Sequence, residues 1–99
     1  MDVTESGSSE TLARARSAAV AFARMRGYST EQIDQIGAEP VLGPVTFDRD
    51  GATVTAFRWI GAGRGSTYVQ VELIAGTPVL VRGARGDTEL GEWISPQER

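Results

Sequence analysis

Residues 59–68, WIGAGRGSTY, place glycine at every second position and set Arg64 between the last two. Glycine amides beside a guanidinium are the parts of a phosphate or carboxylate cradle. A dinucleotide-binding loop also needs a strand before it and a helix after it, so that the helix amides and dipole meet the phosphates. Here YVQVELI follows and alternates like a strand, and no GK[ST] is present. The stretch reads as a hairpin loop, with Arg64 at its tip as a weak anion-binding residue.

Four other groupings have chemical potential. Asp48 and Asp50 flank Arg49 in DRDG and could touch a divalent ion, but tight-turn chemistry accounts for both acids. Glu89 and Glu92 form a carboxylate pair of the kind hydrolases use, without an adjacent nucleophile. Arg85, Gly86 and Asp87 spell a cell-adhesion tripeptide that reads as a loop. Arg14, Arg16, Arg24 and Arg26 make the first helix basic, with Glu10 at i,i+4 from Arg14. A basic helix could meet RNA or an acidic partner, yet a solvated face explains it, and nucleic acid is not the expected partner.

Composition removes much of the remaining chemistry. The 99 residues contain no cysteine and no histidine, and all ten basic residues are arginine. Thiolate nucleophiles, imidazole bases, Cys/His zinc centres and lysine Schiff bases are therefore excluded. No metal and no cofactor is expected. Aspartate, glutamate, tyrosine and arginine can still catalyse, so the question of an enzyme stays open but leans to no. A net charge of −3 argues against nonspecific nucleic-acid binding. No apolar run of membrane-spanning length and no leader-like amino terminus is seen, so a cytoplasmic chain without a membrane partner is expected.

The elements that position these residues follow from periodicity. Residues 1–8 read as a flexible tail, 9–95 as a single α+β domain and 96–99 as a second tail. Ser8 or Ser9 is expected to cap a long helix with Leu12, Ala15, Ala19, Phe22 and Ala23 on one stripe, ended by Gly27. Ser29 and Gln32 form a capping box for a short second helix. Tyr28 and Ile33 take the hydrophobic-staple positions and Gly37 ends the turn.

From residue 38 the period becomes two, giving a four- or five-stranded antiparallel meander with one face on the helices. DRDG is read as a type I turn with a glycine bulge, Gly76 to Pro78 as a three-residue turn, and Pro44 as the mark of an edge strand. That register puts Thr53 opposite Phe47, Thr55 opposite Val45, Val69 opposite Phe57, and Val81 opposite Leu73. Val45, Phe47, Phe57, Trp59, Val69, Val71, Leu73, Val79 and Val81 then face the helix. Arg58 would lie opposite Tyr68 as a cation–π pair, and Glu72 opposite Arg82 as an ion pair. TELGEWISPQER could be a helix, with Leu90, Trp93 and Ile94 at helical spacing and Asp87 as cap, or a fifth strand. The element order is similar in outline to cystatin-like helix-on-curved-sheet domains, a likeness of order alone.

Two sites are expected. The outer sheet face, with Val54, Ala56, Arg58, Tyr68, Gln70, Leu80 and Arg82, mixes apolar and charged residues as an interface does. Leu42, Ile60, Ile74 and Glu72 complete it. Through this face or through an edge strand the chain would bind a protein partner or a second copy as a homodimer, in the manner of an adaptor, inhibitor or toxin-neutralising protein. The alternative is a small-molecule pocket between helix and sheet, with or without weak catalysis, whose ligand-binding residues are Phe22, Phe47, Phe57, Trp59 and Arg64.

Overall fold

The computed structural model describes residues 3–61, 66–86 and 88–93. Two helices, α1 (Val3–Met25) and α2 (Thr30–Ile36), precede β1 (Leu42–Arg49), β2 (Ala52–Ile60), β3 (Tyr68–Ile74), β4 (Thr77–Arg85) and β5 (Thr88–Trp93). The strands form one antiparallel sheet in chain order. This is the expected α+β meander, and its carboxyl-terminal segment is a strand rather than a helix. Leu90 of β5 packs against the core, while Asp87 and Ile94 lie outside the described residues.

Helix α1 buries Ala15, Ala18, Ala19, Phe22 and Ala23, and Leu12 packs at the margin. Methyl-sized side chains let the helix axis approach the sheet closely, and Phe22 supplies the bulk. Ser8 and Ser9 lie inside the helical span instead of capping it. Gly27 takes φ 80 at the helix end, a conformation that a Cβ disfavours. In the capping box, Ser29 Oγ accepts from Gln32 N–H at 3.1 Å and Gln32 Oε1 accepts from Ser29 N–H at 2.9 Å. Tyr28 and Ile33 both reach the core.

Three pairings differ from the expected ones. Asp50 (φ 54) and Gly51 (φ 85) form a two-residue turn closing on Arg49 and Ala52. Two successive positive φ values define a type I′ turn, whose twist suits a hairpin. The turn is one residue shorter than expected, so Phe47 stands opposite Val54 and Val45 opposite Ala56. Because side chains alternate, this odd slip moves Val45 and Phe47 to the outer face and leaves Thr46 and Asp48 on the helix side. Between β2 and β3 the slip is even: Phe57 stands opposite Val71 and Trp59 opposite Val69, so the faces are as expected. Between β3 and β4 the turn is Ala75–Gly76, and a register shift beside Leu73 leaves Val79 out of the pairing. Val71, not Leu73, therefore lies opposite Val81.

Phe57, Trp59, Val69, Val71, Leu73 and Val81 close the core against α1 and α2. The Trp59 indole N–H donates to the Ala38 carbonyl at 3.3 Å and ties the α2–β1 linker to the sheet. Helix α1 rests on β3 and β4, and α2 on β2. Strand β1 contributes nothing to the buried cluster.

The Tyr28 hydroxyl donates to the Tyr68 carbonyl at 2.7 Å, with the Ala84 carbonyl at 3.3 Å. It occupies the space above Gly83, where a Cβ would also meet Phe22 Cε2 and the Tyr68 carbonyl oxygen, each at 2.8 Å. Burial, with the Tyr68 phenol as a lesser cause, pushes the Tyr28 phenol up from 10.0 to about 12. The folded value lies above the unfolded one, so this contribution is complete below pH 10 and is lost as pH rises through 12. The urea midpoint of the wild type is expected to fall across that window, and to fall less in Tyr28→Phe. Parallel curves would remove Tyr28 as the cause.

Candidate interaction surface

The sheet face turned away from the helices is organised by a chain of polar side chains. Arg49 Nη1 donates to Glu72 Oε1 at 2.7 Å and Nη2 to Oε2 at 3.4 Å. Gln70 Nε2 donates to Glu72 Oε2 at 3.4 Å, and Arg58 donates to Gln70 Oε1 through Nε at 3.1 Å and Nη2 at 2.9 Å. The Arg58 guanidinium lies 4.0 Å from the Tyr68 ring centroid, and that of Arg49 lies 5.2 Å from the Phe47 centroid. Backbone register explains the order. Arg58, Gln70 and Arg82 occupy one row of the sheet, and Ala56, Glu72 and Leu80 the next.

The expected Glu72–Arg82 pairing is therefore replaced. Glu72 stands opposite Leu80 and takes its cation from Arg49 on the edge strand. Arg58 and Tyr68 do stack, but from diagonal positions, since Gln70 is the residue opposite Arg58. The bridge from Arg49 on β1 to Glu72 on β3 crosses β2. Beneath that crossing Val54 and Ala56 are 1% and 5% exposed, and Glu72 itself is 3% exposed. A carboxylate so enclosed is tolerable only because the guanidinium and the Gln70 amide take up its lone pairs. The pair ties the first hairpin to the third strand.

This changes which residues a partner could touch. Val54 and Ala56, expected on the contact surface, are sealed beneath the chain's own side chains. Arg58, Tyr68, Gln70, Leu80 and Arg82 are half-buried. Val45 and Phe47, expected inside, are 41% and 36% exposed on this face. Leu42 and Ile74 are exposed as expected, and Val41 is exposed beside them. Ile60 takes φ 84 at the end of β2 and packs against the core rather than standing outside.

The alternative pocket set does not assemble. Phe22, Phe57 and Trp59 are enclosed in the core, with Phe57 and Trp59 stacked at 5.9 Å, while Phe47 lies on the opposite face of the sheet. Arg64 lies outside the described residues. Among the described residues no group of three or more acidic side chains could hold a metal ion, and no helix is long and apolar enough to cross a membrane.

The basic helix spends two of its arginines internally. Arg16 Nε donates to the Ile36 carbonyl at 2.9 Å and Nη2 to the Ala38 carbonyl at 3.2 Å, which satisfies the open end of α2. Arg14 reaches the Gly76 carbonyl at 3.3 Å and stands 3.9 Å from Glu10. Arg85 of the RGD segment donates to the Gly27 carbonyl at 2.8 Å. Glu89 and Glu92 stand opposite Ala84 and Arg82 in the β4–β5 ladder. Arg16→Ala is expected to cost about 1–2 kcal/mol, whereas exposed Arg14→Ala costs under about 0.5 kcal/mol. Urea unfolding of the two variants checks this, and equal losses would contradict the assigned role of Arg16.

No protein-family model, no curated protein and no solved structure matches the chain.

Proposed function

We propose that this chain is a non-enzymatic protein-interaction module, of the adaptor, inhibitor or toxin-neutralising kind, that works in the cytoplasm through β1 and the outer strip beside it. One observation carries the reading. Of six large apolar side chains exposed among the described residues, four (Val41, Leu42, Val45 and Phe47) lie on or next to β1, and a fifth, Ile74 of β3, stands in the same row as Phe47 across Val54. Exposed apolar groups that cluster, instead of scattering, mark a contact surface. The rim has suitable chemistry as well: Arg49, Arg58 and Tyr68 flank the strip, and arginine and tyrosine are favoured at interfaces. The cytoplasmic setting agrees with the absence of cysteine.

The test compares wild type with Val45→Asp/Phe47→Asp as bait in affinity capture from the native organism. Captured proteins are then purified and their affinity for each bait is measured. Losing both anchors is expected to cost at least about 2 kcal/mol in total, so the folded double variant should bind at least about 30-fold more weakly. Equal binding by both baits, with the variant folded by circular dichroism, would refute this surface.

A further inference from the structure

We propose that the occupant of this surface is a second copy of the same chain, added edge to edge as an antiparallel β1–β1 pair with its two-fold axis at Thr46. The proposal rests on reading β1 as the contact element. The strand is complementary to itself.

A two-residue turn with two positive φ values closes with the C=O of its first residue accepting from the N–H of its fourth, which makes Arg49 and Ala52, flanking Asp50–Gly51, a hydrogen-bonded pair. Bonded and non-bonded pairs alternate from there along an antiparallel ladder. Phe47 and Val45 therefore direct their backbone groups to β2. The N–H groups of Thr46 and Asp48, and the carbonyls of Pro44, Thr46 and Asp48, point out of the open edge. Pro44 has no N–H, so at its position the edge offers an acceptor alone.

A second β1 related by a two-fold at Thr46 uses all the outward donors. Thr46 N–H of each copy donates to the Thr46 carbonyl of the other. Asp48 N–H of each copy donates to the Pro44 carbonyl of the other, so the missing proline donor is never needed. Val45 then faces Phe47 of the second copy, twice, on the outer face. The two exposed apolar strips merge, and each contact is of the aromatic–β-branched type that favours strand pairing. An axis at Phe47 would also satisfy the donors. It would, however, set Val45 opposite Arg49, whose guanidinium is committed to Glu72. Matching apolar to apolar selects Thr46. The product is one continuous ten-stranded sheet with both helix pairs on the same side.

Sedimentation equilibrium of the purified chain alone, from about 1 μM to about 1 mM, provides the first reading. The expected result is a reversible dimer of twice the 10.6 kDa chain mass. Thr46→Pro removes an outward donor without touching the β1–β2 ladder and should weaken association at least about tenfold. The register is read by oxidation of single-cysteine variants, since the chain has no cysteine of its own. Opposed residues of a hydrogen-bonded pair stand about 5.5 Å apart at Cα, within disulfide reach, so Thr46→Cys should link far faster than Asp48→Cys or Thr53→Cys. The cysteine variants keep the test open if Thr46→Pro fails to fold. A wild type monomeric throughout, or a dimer in which Thr46→Cys links no faster than Thr53→Cys, overturns the proposal. A monomer with capture still lost in Val45→Asp/Phe47→Asp would leave β1 as a contact surface for a different protein.

Discussion

Gly83→Ala should destabilise the domain by about 3 kcal/mol and lower its Tm by roughly 15 °C. The space that a Cβ needs is already filled by the Tyr28 hydroxyl, the Phe22 ring edge and the Tyr68 carbonyl. Two of these are rigid: Phe22 is fully buried in the core cluster and the carbonyl belongs to a paired strand. Relief therefore requires α1 to lift from β4, which would uncover much of the core. The Tyr28 hydroxyl is the one obstacle that can be removed separately. Gly83→Ala/Tyr28→Phe should recover part of the loss, giving a coupling of about 1 kcal/mol in a double-mutant cycle. Thermal and urea unfolding supply both numbers. A Gly83→Ala change within about 0.5 kcal/mol of wild type would mean that Tyr28 does not sit where described.

Trp59→Ala should be still more damaging, at about 4 kcal/mol. The ring is fully enclosed between the sheet and the two helices, so truncation leaves a cavity whose walls are backbone and other core side chains. The same change orphans the Ala38 carbonyl as a partner of the indole, although Arg16 still donates to it. Small domains have about 5–15 kcal/mol in total, so this variant should sit near its unfolding threshold at 37 °C. Trp59→Phe separates the two contributions: it keeps most of the volume, loses the N–H, and should cost about 1–2 kcal/mol. Denaturation followed by circular dichroism distinguishes them. A loss under about 2 kcal/mol for Trp59→Ala would show that the ring is not enclosed.

Local patterns carried the helical half of the molecule. The stripe Ala15, Ala19, Phe22, Ala23 and the Ser29–Gln32 box depend on neighbours three and four residues away, and both stand as read. The sheet depended on turn lengths, and there parity decided the outcome. The loop before β3 shifts the expected register by two residues, which leaves Phe57, Trp59, Val69 and Val71 on the expected face. The Asp50–Gly51 turn shifts it by one, which places Val45 and Phe47 on the exposed outer face instead of the expected inner one. Asp-Gly is the strongest two-residue hairpin signal, so the shorter turn is legible in the sequence. The sealing of Val54 and Ala56 is not. It requires Arg49 to reach Glu72, 23 positions away in sequence, and nothing in the spacing announces that contact.

The inverted first strand also sets how the molecule comes apart. The core is complete with α1, α2 and β2 to β4, and β1 enters it nowhere. Its attachment is one ladder of hydrogen bonds and one guanidinium that spans a neighbour. Opening β1 therefore uncovers Val54, Ala56 and Glu72 on the outer face but leaves the helix-side cluster intact, so its free energy lies below that of global unfolding. The strand most suited to meeting another chain is also the one the rest of the domain can do without, so recruitment and local order at this edge are two readings of a single equilibrium.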